Sequence, residues 1–599
     1  MASPTIQSFE YEEMPTVTAS PSRRVQELLA LCSSSIEIGG SQDLESLVTD
    51  LVNCLNSLSE NVASDASDEL ENDVIQVLAE ILKFVSSPQL DQDVIDALSF
   101  ELPKVISKFA DVSSRCLELV EEIVDRFVEA CSPRDMLSIL CEALDAARCF
   151  LSPSSCSTPL LHGLSKVFIS VQRRHYEQLK VAVPVVLNAL KDISLETDVQ
   201  VEHLLDEALR IAISIRDVSS KLKNEEGTKV RCLLGLYVIQ ITAILSVSIR
   251  DKVASCVPLV VQLKPFLIYC GLTHLGLITG NDTEKLMSAV AGDDDDDFIS
   301  FFPDIKLGAS LLFIWAKLSP EVADAALRND VDELRSNPVK RWQAYGMLKY
   351  ILSSGDLLWE FKRHTIEFLL DITKGPSSQS NDEQIDCSQY TPSIYAALQA
   401  VILVIVYAPD AGLRMKTFEA LKRILSDIPA PQRFDVLRAL VTNSQSPSMT
   451  AILLDLVKYN MSRSSLEATD CATADTHVIE LVELVLKPPQ GGPPLLPDQS
   501  DAVSAALNLY RFALIYESRA GEAGKERSRE GSEVLSKKNL EKAYKEWLMP
   551  LRNVLSCSIA NLEGDHGDES SLEVVCHLSR IESVLYRCIE LVEEKLKSH

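Results

Sequence analysis

Glycine and aromatic residues are both sparse in this chain of 599 residues, with 21 glycines and only 6% Phe, Trp and Tyr. Sandwiches and barrels depend on glycine-bearing turns and aromatic strand pairs, so the shortage argues against an all-β fold. Basic side chains are also in deficit: 57 Lys and Arg face 87 Asp and Glu, a net charge of −30. A nucleic-acid duplex or an anionic membrane would be repelled, and neither is expected as a partner. Fifteen cysteines are present, but none lies three residues from another, and no His-x-x-x-His pair occurs. Zinc is therefore not expected from local spacing, and no other metal or cofactor is indicated.

Catalytic signatures are missing in the same way. Gly521-Glu522-Ala523-Gly524-Lys525 has the ending of a phosphate loop, but its glycines are too close and Glu526 stands where a magnesium-binding hydroxyl is needed. No nucleophile elbow or kinase signature occurs, so the chain is read as not an enzyme, with no small-molecule substrate. Cys576 and His577 are adjacent and would point about 100° apart on a helix, a poor geometry for shared chemistry. The acidic run Asp293 to Asp297 lacks the alternation of a calcium loop and reads as a solvated connection. Residues 1–22 carry Glu10, Glu12 and Glu13 where a leader would be basic or apolar. They are expected to be a disordered tail of an intracellular protein, in the nucleus or the cytoplasm.

What the chain has in quantity is Leu, Val, Ala, Glu, Asp and Ser, with 46% apolar residues, enough to bury several cores of helices. Cys116, Val120, Ile123, Val124, Phe127, Val128 and Cys131 follow one helical face. Ser132, Pro133 and Asp135 then supply a cap, a first-turn proline and an acid for the dipole of the next helix. Similar openings recur at Ser87-Pro88, Ser319-Pro320, Ala408-Pro409 and Ser446-Pro447. Hairpins of helices repeating about every 40 residues predict an all-α, HEAT/armadillo-like helical-repeat solenoid. The expected organisation is one array over 23–373, a flexible loop at 374–392 and a second array over 393–599, with a Pro/Gly interruption at 487–500. Residues 232–249 are almost continuously apolar, but Gln240, Thr242 and Ser246 interrupt them. A central helix buried on both faces is expected there in preference to a membrane span, and 394–407 reads as a shorter helix of the same kind.

Charge is uneven along the chain: residues 1–300 carry −22 and residues 301–599 only −8. The second half is thus the better docking surface. Its local basic excesses, one around Arg414, Lys422, Arg423, Arg433 and Arg438, another around Lys538, Lys542, Tyr544, Lys545, Trp547 and Arg552, combine charge with aromatic anchors as interfaces do. The segment Lys340-Arg341-Trp342-Gln343-Ala344-Tyr345 through Ser354, with Pro409 to Val441, resembles the glomulin family. The resemblance implies a HEAT-like fold whose C-terminal part binds the RING-box subunit of cullin-RING ubiquitin ligases and masks the face that receives the ubiquitin-conjugating enzyme. The alternative is a helical-repeat scaffold for another protein. An armadillo peptide-binding ladder is disfavoured, because Trp315, Trp342, Trp359 and Trp547 do not recur at repeat spacing.

Overall fold

The computed structural model describes residues 20–37, 41–64, 67–150, 152–196, 201–291, 300, 302–374, 387–464, 472–488, 491–522, 534–563 and 569–598. Among these residues every regular element is a helix. The acidic run 293–297, most of the expected tail and loop (1–19 and 375–386) and residues 523–533 lie outside them. Two compact units are present, one of Met1–Glu333 with Tyr350–Thr365, the other of Leu334–Lys349 with Ile366–His599. The division falls ahead of the 374–392 interval, because packing between helices, not loop composition, decides where a core ends.

The first unit opens with ten helices: α1 Pro21–Glu37, α2 Ser41–Ser64, α3 Asp68–Val85, α4 Gln92–Ile106, α5 Ser114–Ala130, α6 Pro133–Ala147, α7 Pro153–Ser170, α8 His175–Leu195, α9 Val201–Lys221 and α10 Glu225–Ser248. Odd helices stack on odd, α1 on α3 and so on to α9, while even helices stack on even from α2 to α10. Two layers of helices, each touching its next-but-one neighbour, are the packing of a solenoid. The α5 stripe read from the sequence is buried from Cys116 to Val128. Pro133 opens α6 as expected, and Ser132 takes the extended cap conformation, but its side chain makes no cap hydrogen bond.

A polar ladder runs through the odd layer. Lys166 of α7 reaches Asp125 of α5 at 2.6 Å, with His162 Nε2 3.6 Å from the same carboxylate. On its other side Arg210 of α9 lies 2.9 Å from His162 Nδ1 and 3.3 Å from the buried Glu207. Burial raises the Asp125 carboxyl, but His162 and Lys166 outweigh it and hold the group below its ordinary range. Burial pushes Glu207 up, with Arg210 opposing.

Helix α10 packs against α8, α9, Ile305–Leu318 and Asn281–Ala291, and is buried continuously from Leu233 to Ser246. The polar residues that break its apolar run are each satisfied inside the protein. Gln240 and Asp304 exchange hydrogen bonds at 3.2 and 3.3 Å, Thr242 donates to the Val238 carbonyl, and Ser246 accepts from the Trp315 indole at 3.1 Å. Gly308 lets Ile305–Leu318 approach so closely that a Cβ there would stand 2.0 Å from the Ile239 carbonyl oxygen. By contrast, Ser319-Pro320 opens no helix, since a loop follows and the next helix begins only at Leu327, and Ser87-Pro88 is followed by a turn, with Asp91 and not Ser87 capping the helix that begins at Gln92.

In the second unit Thr391–Tyr407 packs on Ala411–Asp427 and on Ala430–Thr442, which packs in turn on Ala472–Leu486. Pro447–Ser464 lies on Ser500–Glu522, and Glu569–Ser598 covers Ser500–Glu522 and Met549–Glu563. Thr391–Tyr407 is not buried on both faces as its composition suggests. Ile394, Ala397, Leu398, Val401 and Val404 face the core, while Leu403, Val406 and Tyr407 are exposed, because packing neighbours cover only one side.

Candidate protein-docking surface

The motif that carried the family likeness is an internal lock of the second unit. Arg341, 3% exposed, forms a forked pair with Asp427, its Nε 2.8 Å from Oδ2 and Nη2 on Oδ1. Its Nη1 donates to the carbonyls of Leu334 and Arg335, and the Tyr345 hydroxyl donates to Asp427 at 3.1 Å. Burial works against the Arg341 charge, yet Asp427 more than offsets it and raises the guanidinium pKa. Trp342, buried beside them, lies 5.9 Å from the Tyr390 ring. Pro338–Ser353 is thereby tied to the end of Ala411–Asp427 through a buried, forked pair.

Most of the basic side chains nominated from the sequence are engaged within the unit. Arg414 does not reach a neighbouring acid; its Nη1 donates to the Ala408 carbonyl at 2.6 Å and so closes the preceding helix. Lys422 and Arg423 pair with Glu419 at 2.6 and 3.0 Å, and Arg423 also reaches the Leu370 carbonyl. Arg433 donates to the Ser426 and Ile428 carbonyls. Arg438 pairs with Glu480 at 3.0 Å, across the contact between two helices.

The second basic group surrounds an irregularity. Between Lys537–Lys542 and Met549–Glu563 the residues Ala543–Leu548 form a π-helical segment, a local widening that changes which side chains face inward. Lys542 pairs with Glu483 at 2.7 Å and its ammonium lies 5.9 Å from the Trp547 ring centre. Tyr544 donates to Glu593 at 3.0 Å, Lys545 meets Glu541 at 3.4 Å, and Arg552 contacts the Met549 sulfur. Trp547 is 1% exposed and packs edge-on to Tyr510, so it is a core residue and offers no surface to a partner. Lys538 and Lys545 are the most exposed cations of this group.

An apolar ridge escaped the charge-based reading. Leu403, Val406 and Tyr407 share one face of the last turns of Thr391–Tyr407, and Met415 projects from the first turns of Ala411–Asp427; Tyr407 and Met415 are each 69% exposed. Arg414 stands in the first turn of Ala411–Asp427, next to Met415 in sequence. The signal available in the sequence was the apolar continuation of 394–407 beyond what one buried face needs.

No catalytic pair forms at Cys576 and His577. They line a cleft of about 470 Å³ with Asp501, Glu573 and Arg580, but Cys576 is exposed while His577 turns its Nε2 to Asp501 at 3.8 Å. Among the described residues, one group of histidine and acidic side chains is close enough to share a cation: His274, Asp324 and Asp330 of the first unit. The fourteen described cysteines are all free thiols, and burial pushes those of Cys141 and Cys588 up to about 12.

Residues 14–588 match a family described as "Uncharacterised protein family, YAP/Alf4/glomulin". Aberrant root formation protein 4 of Arabidopsis thaliana is 80% identical over 594 residues, which cover 98% of this chain and 95% of that protein. Mouse glomulin is 27% identical over 131 residues, 22% of each chain. Among solved structures, SYS-1 aligns at 10% identity over 95% of this chain and 99% of its own, and Kap121p at 11% over 95% and 54%, each with a TM-score of 0.23.

Proposed function

Because this chain belongs to the YAP/Alf4/glomulin family, we propose that it works without catalysis, as a stacked-helix platform covering a surface of another protein. The partner in this reading is the RING-box subunit of cullin-RING ubiquitin ligases, and the effect is to mask the face that receives the ubiquitin-conjugating enzyme. The observation that carries a docking role is the exposure of Leu403, Val406 and Tyr407 on one face of Thr391–Tyr407, with Met415 exposed on the helix that follows. Exposed aromatic and thioether side chains are anchors of the kind interfaces use, and helices already stacked lose little conformational freedom on binding. The exposed cations Lys538 and Lys545 are secondary candidates for a polar rim.

A titration of the full chain against a cullin–RING-box subcomplex, with ubiquitin-chain synthesis followed in parallel, tests this. The reading expects binding accompanied by loss of synthesis, and at least a roughly tenfold loss of affinity in Tyr407→Asp with Met415→Glu, about 1.4 kcal/mol. Failure of the folded wild-type chain to bind overturns the choice of partner and leaves a helical scaffold for another protein.

A further inference from the structure

Polar side chains in the first unit are in large part spent on ladders, caps and reciprocal hydrogen bonds, but His274 is an exception. It follows the Thr273 cap as the first residue of His274–Thr279 and is only 7% exposed. Neither of its ring nitrogens makes a hydrogen bond, although Nδ1 lies 3.0 Å from Asp324 Oδ2. An imidazole buried in this way costs free energy unless something satisfies it. Asp330 approaches the same point, so that one ligand atom from each of the three residues lies within 4.8 Å of the others.

We propose that His274, Asp324 and Asp330 form a binding site for a divalent transition metal of the Zn²⁺ class. One imidazole nitrogen with two carboxylate oxygens is a borderline donor set that suits zinc; calcium and magnesium take oxygen donors. Around a four-coordinate zinc, with bonds of about 2.0–2.2 Å, neighbouring donor atoms stand roughly 3.3–3.6 Å apart. The three donor atoms lie within 4.8 Å of one another, so the side chains close inward to reach that spacing when a metal binds. The fourth position falls to water, since Asp324 is partly exposed and opens the site to solvent.

The supporting structure is in place around the three donors. Asp324 Oδ1 accepts the Ala326 N–H at 3.0 Å, which leaves Oδ2 turned to the imidazole. Lys264 holds the loop by donating to the Glu321 and Ala323 carbonyls at 2.8 and 2.6 Å. A bound metal ties the loop before Leu327–Ser336, and that helix's first turn, to His274–Thr279, which lies about 50 residues earlier in the chain.

The test is a titration of Zn²⁺ into chelator-treated full-length protein, repeated with Co²⁺ to report the donor type. Wild type is expected to bind an equivalent of Zn²⁺ that raises its melting temperature, with Co²⁺ giving visible ligand-field bands and no thiolate charge-transfer band from this site. Asp324→Asn keeps the oxygen that caps Ala326 and lies in a partly exposed loop, so it should fold normally and lose that equivalent; Asp330→Asn should lose it as well. Absence of zinc binding by wild type, retention of the equivalent in Asp324→Asn, or a purely thiolate cobalt spectrum would each overturn the assignment.

Discussion

Single side chains show how strongly burial changes the meaning of a charge. The forked Arg341–Asp427 pair is desolvated, so removing one partner strands the other in the core. Asp427→Ala is expected to lower the stability of the chain by about 3–5 kcal/mol in urea denaturation, whereas Arg341→Met combined with Asp427→Leu should recover most of that loss. The Asp125 carboxyl sits below its ordinary range in the folded chain. Its stabilising contribution is therefore complete above the unfolded carboxylate value of about 4, and is lost as the pH falls through the lower folded value. Asp125→Asn should flatten the acid limb of stability against pH in that window. A sequence reading can nominate Arg341 and Trp342 as a motif, but their exposures of 3% and 1% mark them as structural parts of the core.

Between elements, close approach and layer order decide the fold. Helical stripes such as that of α5 were legible because each residue's neighbours three and four positions away lie in the same element. The burial of α10 was also legible, and the bonding of Gln240, Thr242 and Ser246 explains why a helix so apolar tolerates them. Gly308 was not legible, since its importance depends on Ile239 of another helix. Gly308→Ala should force the two helices apart and lower stability by about 1–3 kcal/mol, read by thermal unfolding with helical content retained at low temperature. The loop after Ser319 and the π-helical turn at 543–548 likewise escaped local patterns, because tertiary packing overrode the helix-start signal in one and the regular helical period in the other.

At the scale of the whole molecule, the balance between charge and apolar surface separates two candidate docking faces. Lys545→Glu changes a residue whose one ion pair is local and exposed, so it should leave stability within about 0.5 kcal/mol of wild type. Its effect on partner affinity then reports on the π-helical face alone, while Tyr407→Asp reports on the apolar ridge; the ridge is expected to show the larger loss of affinity in parallel titrations. The sequence by itself determined the helical class, the repeat-like grammar of caps and stripes, the buried central helix and the family likeness, all of which rest on short-range periodicity and composition. Only the tertiary structure decided which basic residues are engaged internally, that Trp547 is core, that Leu403, Val406, Tyr407 and Met415 are exposed, and that His274 meets Asp324 and Asp330. Several of those outcomes, such as the Arg438–Glu480 and Lys542–Glu483 pairs and the meeting of His274 with Asp324, join residues far apart in the chain that stacked helices bring together, and no local spacing records such meetings.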